Sequence, residues 1–230
     1  MAARRWGEGA AQGRLAARPG SPSGGAAPGL ERIALARERD ALLYVPPGVE
    51  GAAPLAVMLH GAGGSAQSGI AHLMPLAGAA GLLLLAPDSV GRTWDVLEGG
   101  FGPDVATLDA LLEQVFARCA VDAARLAIGG FSDGASYALS LGIGNGDLFT
   151  HVVAFSPGFM AHAAQVGAPR LFVSHGARDA VLPIDRCSRR IVPRLQRAGY
   201  DVEYVEFDGP HTVPEAVARR AVEWFGEEKS

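Results

Sequence analysis

The sequence predicts an α/β fold: a doubly wound, mostly parallel β-sheet flanked by helices. Three observations carry that expectation. From Glu31 onward, short apolar runs alternate with longer segments of helical periodicity. Several of those runs are almost continuously apolar, as strands covered on both faces must be. A composition of 49% hydrophobic and 19% charged residues over 230 residues suits one well-buried domain.

Strands are expected at Ala41–Val45, Leu55–Leu59, Leu82–Ala86, Arg125–Gly129, His151–Phe155, Leu171–Ser174 and Val202–Phe207. Helices are expected at Ser68–Ala80, Pro103–Arg118, Asp133–Leu141, Arg189–Ala198 and Pro214–Phe225. Within the second of these, Leu108, Leu111, Leu112, Val115 and Phe116 recur at the spacing of a core-facing stripe. Strands that alternate with helices build βαβ units. Sheets of that kind bind ligands beyond the carboxyl ends of their strands, which is where chemistry is to be sought.

Residues 1–30 read differently. They are rich in Ala, Gly, Arg, Ser and Pro, too poor in apolar surface to offset the entropy of ordering. They are read as a flexible or extended N-terminal arm, and 31–230 as a single domain. The arm carries a net charge of +3, which leaves −7 on the remainder of a chain whose total is −4. An acidic body argues against nucleic acid as a partner, because phosphate contacts need a basic surface. Cys119 and Cys187 match no disulfide framework or zinc spacing and read as two free, buried thiols. No apolar core of a secretory signal precedes the first Pro, and the longest apolar run, 77–87, is too short to span a bilayer. The expectation is a cytoplasmic protein without a membrane span, a monomer or a homodimer.

The sharpest motif is Gly130-Phe131-Ser132-Asp133-Gly134, a G-x-S-x-G set between an expected strand and an expected helix. A serine held in a strained turn needs neighbours without side chains. Such a turn lifts the hydroxyl toward a helix N-terminus, where the dipole favours developing negative charge. His60-Gly61-Ala62-Gly63-Gly64 follows another strand and can offer unobstructed backbone amides. With such an elbow, an oxyanion hole would be made by the N–H groups of Ala62 and Asp133. A phosphate loop is the rival reading, but neither G-x-x-x-x-G-K-[ST] nor G-x-G-x-x-G occurs there. His60 precedes the serine and reads as a histidine that shapes its loop.

Partners of an elbow serine follow it in the order acid, then histidine. Asp179 lies on a turn after the strand that ends in Ser174, and is preferred to Asp185 and Asp208. His211 follows the last strand in a turn made by Gly209, Pro210 and Pro214. His72, His151, His162 and His175 read as surface, strand-edge or turn residues. Ser132, Asp179 and His211 are therefore the expected nucleophile, acid and base.

Taken together, Leu59–Gly64, Gly129–Gly134, Ser174-His175-Gly176 with Asp179, and Gly209-Pro210-His211 make the chain resemble the phospholipase/carboxylesterase branch of the α/β-hydrolases. The resemblance spans roughly residues 40–225. Small bacterial carboxylesterases belong to that branch, with acyl-protein thioesterases and polyhydroxybutyrate depolymerase-like esterases as relatives. It implies a serine carboxylesterase working through an acyl-enzyme, with a small-molecule ester as substrate and no metal or organic cofactor. Thioesterase-like members often carry a bulky residue where Ala62 stands, so their acyl preferences do not carry over. The short link from Ser156 to Arg170 leaves no room for a large lid, which suits small or short-chain esters. Trp94, Phe101, Phe159, Met160 and Leu182 are candidates to line the cleft. A thioesterase or lysophospholipase, and a non-catalytic binding protein of the same fold, are the alternatives.

Overall fold

The computed structural model describes residues 8–35, 39–161 and 164–227. An eight-stranded sheet runs through it, formed by β1 (Gly29–Leu35), β2 (Arg39–Val45), β3 (Ala53–Leu59), β4 (Leu83–Pro87), β5 (Val121–Phe131), β6 (His151–Phe155), β7 (Arg170–Gly176) and β8 (Val202–Phe207). Its strand order is β1-β2-β4-β3-β5-β6-β7-β8. Pairing is antiparallel at β1/β2 and β2/β4 and parallel from β4 to β8. The helices are α1 (Glu8–Ala11), α2 (Ala66–Ala71), α3 (Met74–Ala77), α4 (Pro103–Arg118), α5 (Asp133–Gly144), α6 (Ser188–Arg197) and α7 (Glu215–Gly226). No described helix is long and apolar enough to cross a membrane.

The period of two along each strand divides the core. Leu55, Val57 and Leu59 of β3 face α4, α5 and α6 in one apolar cluster. Ala56 and Met58 face α2, α3 and α7 in another. Central strands buried on both faces are why their sequences read as continuous apolar runs.

Two differences from the sequence reading have physical causes. The expected helix Ser68–Ala80 is broken into α2 and α3. Pro75 lies in the first turn of α3, and there its ring would clash with the carbonyl four residues back were the helix continuous. The strand β1 is absent from the strands that the sequence pattern marks. It is an edge strand whose Leu30 is exposed and whose Glu31 and Arg32 interrupt the apolar pattern. His162 lies outside the described residues, and so do 1–7 of the arm.

The rest of the arm makes specific contacts with the sheet's helical cover. Leu15 and Ala17 are buried in the cluster on the α4–α5 side. Asn145, just past α5, accepts from the Leu15 amide at 2.9 Å and donates to the Gly13 carbonyl at 2.7 Å. Asp109 of α4 accepts from the successive amides of Ala16 and Ala17, both at 2.8 Å. Arg14 and Arg18 share Asp147, and these hydrogen bonds, led by that of Arg14, draw its carboxyl down to about 2.

At the opposite end of the sheet from the G-x-S-x-G turn, His151 opens β6. Its ring meets Trp224 and Phe225 edge-on at 5.2 and 4.9 Å, and Nε2 is buried without a partner among the described residues. Burial, helped by the charge of Arg170, lowers the imidazole from 6.5 to about 4. The unfolded chain thus takes up this proton near pH 6.5 and the folded one only near pH 4. Stability is therefore lost as pH falls through that window, by on the order of 3 kcal/mol from this group. His151→Phe keeps an aromatic ring in place. It is expected to remove that share of the pH dependence, read from urea midpoints between pH 7 and 4. An unchanged slope would assign the titration to another group.

Candidate active site

The geometry begins with a strained residue. Ser132 joins β5 to α5 with φ 58° and ψ −120°, a left-handed conformation that side chains rarely adopt. Its amide donates to the Phe155 carbonyl at 2.9 Å, and its own carbonyl accepts from the Ser136 amide in the first turn of α5. The flanking glycines are required by close approach. A Cβ on Gly134 would lie 2.4 Å from the Leu59 carbonyl oxygen, and one on Gly130 would lie 2.6 Å from the Gly134 carbonyl carbon. The N-terminus of α5 is thus pressed against the end of β3. Gly61 belongs to the same contact, since a Cβ there would come within 3.3 Å of Ser132 Cβ.

Three side chains from three strand ends converge here. His211, from the loop after β8, brings Nε2 to 2.9 Å from Ser132 Oγ. Its Nδ1 lies 2.5 Å from Asp179 Oδ2. A carboxylate oxygen only accepts, so the proton is on Nδ1 and bare Nε2 accepts from the serine hydroxyl. Asp179, from the loop after β7, receives the Val181 and Leu182 amides on Oδ1 at 2.9 and 2.8 Å. Its burial works to raise the carboxyl, but the bonds from Leu182, His211 and Val181 outweigh it and hold the group below the usual carboxylate range. Phe131 packs its ring on His211, centroids 4.5 Å apart.

Ala62 is in the turn closed by the Gly64 amide on the Gly61 carbonyl. Among the described residues, neither the Ala62 nor the Asp133 amide has an acceptor. The Asp133 side chain is engaged elsewhere, accepting from Thr93 Oγ1 at 2.8 Å. His60 is buried. Its Nε2 accepts from the Ser89 amide at 3.0 Å, so Nδ1 carries the proton toward the Gly61 carbonyl at 2.7 Å.

The five residues expected along the cleft divide into two groups. Trp94 is only 2% exposed; it donates to the His60 carbonyl at 2.9 Å and stacks on Tyr137. It braces the loop from behind. Phe101 also packs on Tyr137, and a Cβ on Gly13 of the arm would strike its ring at 2.8 Å. Phe159, Met160 and Leu182 are partly exposed. Ser136 Oγ accepts from the amides of Gly158 and Phe159 at 2.9 and 3.3 Å, and Ser140 Oγ from that of Ala161 at 2.9 Å. Two serines one helical turn apart thus hold this segment to α5. Leu182 closes on it, touching distance from Gly158.

A buried polar cluster that sequence reasoning missed supports the Trp94 loop. Tyr137 donates to Asp95 Oδ1 at 2.8 Å, while Asp95 Oδ2 takes the amides of Gly102 and Asp104 at 2.9 and 2.8 Å. Asp104 in turn takes the amides of Val90 and Asp95 at 2.6 and 2.7 Å. Burial, with the neighbouring Asp95 charge, pushes Asp104 up to about 6.

The sequence profile of the phospholipase/carboxylesterase family matches residues 94–222, more than half of the chain. The chain belongs to this family. It is a serine hydrolase of carboxylic esters, with the α/β-hydrolase fold and, among the described residues, no large lid. No curated protein matches it. Among solved structures, esterase PE8 shares 23% identity over 85% of this chain and 97% of its own, with a TM-score of 0.66. A thermostable esterase shares 22% identity over 85% of this chain and 62% of its own, at a TM-score of 0.69. The S-formylglutathione hydrolase FrmB of Staphylococcus aureus reaches a TM-score of 0.70 at 12% identity, over 87% of this chain and 99% of its own. At these identities the likeness is one of fold.

Gly134→Ala tests the packing of the elbow. The methyl group has no room against the Leu59 carbonyl, so the variant is expected to lose about 1–3 kcal/mol in urea denaturation. Labelling of Ser132 by a fluorophosphonate should fall with it. A wild-type midpoint with full labelling would mean that α5 can withdraw from β3 without cost.

Proposed function

We propose that this serine carboxylesterase hydrolyses small or short-chain esters through a triad of Ser132, His211 and Asp179. One observation carries the reading: the unbroken chain of hydrogen bonds from Ser132 Oγ through both ring nitrogens of His211 to Asp179, at 2.9 and 2.5 Å. His211 Nε2 takes the hydroxyl proton as Ser132 attacks the ester carbonyl, then returns it to the leaving alcohol. Asp179 holds the imidazole with its proton on Nδ1 and stabilises the imidazolium that forms. Water repeats the sequence on the acyl-enzyme.

The oxyanion is assigned to the Ala62 and Asp133 amides. Asp133 follows Ser132 in the chain, Ala62 follows Gly61, which packs against Ser132, and both amides are without an acceptor among the described residues. A preorganised donor of this kind is worth about 3 kcal/mol in the transition state. Phe159, Met160 and Leu182 are assigned to the acyl wall. The short acyl preference rests on the short link from Ser156 to Arg170 and on the tethering of Gly158–Ala161 to Ser136 and Ser140, on the helix that Ser132 precedes.

Hydrolysis of p-nitrophenyl esters from C2 to C16 tests both parts of this reading. Wild-type turnover is expected to be highest on the short chains. Ser132→Ala should abolish it, and Asp179→Asn should lower kcat by about 10³–10⁴-fold by allowing the wrong tautomer. Fastest turnover on the long chains would instead favour a thioesterase or lysophospholipase. No turnover and no fluorophosphonate labelling would leave a binding protein.

A further inference from the structure

His175 takes no part in the triad, yet its ring ends on the same carboxylate. It is the penultimate residue of β7, fully buried, four positions before Asp179. Its Nε2 lies 2.8 Å from the Leu182 carbonyl oxygen and 3.2 Å from Asp179 Oδ2. Both neighbours can only accept, so the proton must be on Nε2. Bare Nδ1 then accepts from Ser188 Oγ at 2.7 Å. Ser188 is buried at the start of α6, so a scaffold helix holds the far side of this ring.

The consequences converge on Asp179. Its Oδ1 is held by the Val181 and Leu182 amides. The Leu182 carbonyl, on the other side of the same residue, is held by His175. The loop that grips one carboxylate oxygen is therefore itself gripped by the imidazole that flanks the other. An apolar ring could fill the same space. It would leave the Leu182 carbonyl without its donor and the loop free to shift.

We infer that His175 is a positioning residue: a neutral Nε2–H donor that aims Asp179 Oδ2 at His211 Nδ1 and pins the loop Asp179–Leu182. It does not touch substrate. Neutrality matters, because a charged ring would compete with His211 for Oδ2. Burial lowers the His175 imidazole, against the pull of Leu182 and Asp179, and so favours the neutral form.

The inference rests on the proposed triad, so its test needs one reading that depends on turnover and one that does not. His175→Phe is compared with His175→Gln, whose amide restores a donor near the Nε2 position. With rates normalised to fluorophosphonate-titrated serine, His175→Phe is expected to lower kcat by about tenfold to a hundredfold, with KM within about twofold of wild type. The downfield proton resonance of His211 Nδ1–H, the signature of its short bond to Asp179, should broaden or vanish. His175→Gln should recover most of both signals. If His175→Phe does not fold, Ser188→Ala removes the bond that holds Nδ1 while the ring stays in place, and should show both changes at smaller amplitude.

Wild-type kcat per titrated serine together with an unaltered resonance in His175→Phe would overturn the inference. So would a loss of thermal stability alone. A resonance that responds in a protein that turns over no ester would uphold the positioning role while removing the proposed reaction.

Discussion

Everything at the carboxyl edge of the sheet depends on how closely α5 approaches the end of β3. Gly130 and Gly134 allow that approach, and the reversed backbone of Ser132 is its result. Strain of this order costs about 1–3 kcal/mol and persists only where surrounding structure over-determines it. Here the Ser132 amide is bonded to β6 and its carbonyl is built into α5. The same approach sets Gly61 against Ser132, so one contact aligns the serine, the helix dipole and the loop after β3.

The loops that rise from the strand ends are not held by their own turns alone. His60 ties the loop after β3 to Ser89 after β4, and Trp94 covers it from behind. Asp95, Asp104 and Tyr137 anchor the Trp94 segment to α4 and α5. Ser136 and Ser140 anchor the segment after β6 to α5, and His175 anchors the one after β7. Buried polar groups carry a heavy penalty when unpaired, so these networks favour one arrangement of each loop over any alternative.

What was legible in the sequence follows from what side-chain period and glycine spacing can encode. Central strands were visible because burial on both faces makes them uniformly apolar, and α4 because its stripe is long. The positions of Ser132, Asp179 and His211 were legible because strand, turn and chain order together leave few choices. Supporting residues were not. Asp95 and Asp104 look like surface carboxylates in any one-dimensional reading, and their burial depends on amides that only the folded loop turns inward. His175 reads as a turn histidine, because nothing local shows that a residue seven positions on will point its carbonyl back. Trp94 looked like a cleft aromatic for the same reason: its partner, the His60 carbonyl, comes from another strand's loop.

The docked arm bears on the order in which the chain can assemble as it is made. Residues 13–18 leave the ribosome before Asp109, Asn145 and Asp147, to which they attach and which follow about a hundred residues later. Until α5 has emerged and packed, Leu15 and Ala17 have no surface to cover. Contacts so distant in sequence carry a high loop-closure cost and form late. Residues made early are thus among the last to find their place, and a nascent chain halted before residue 145 would carry them undocked.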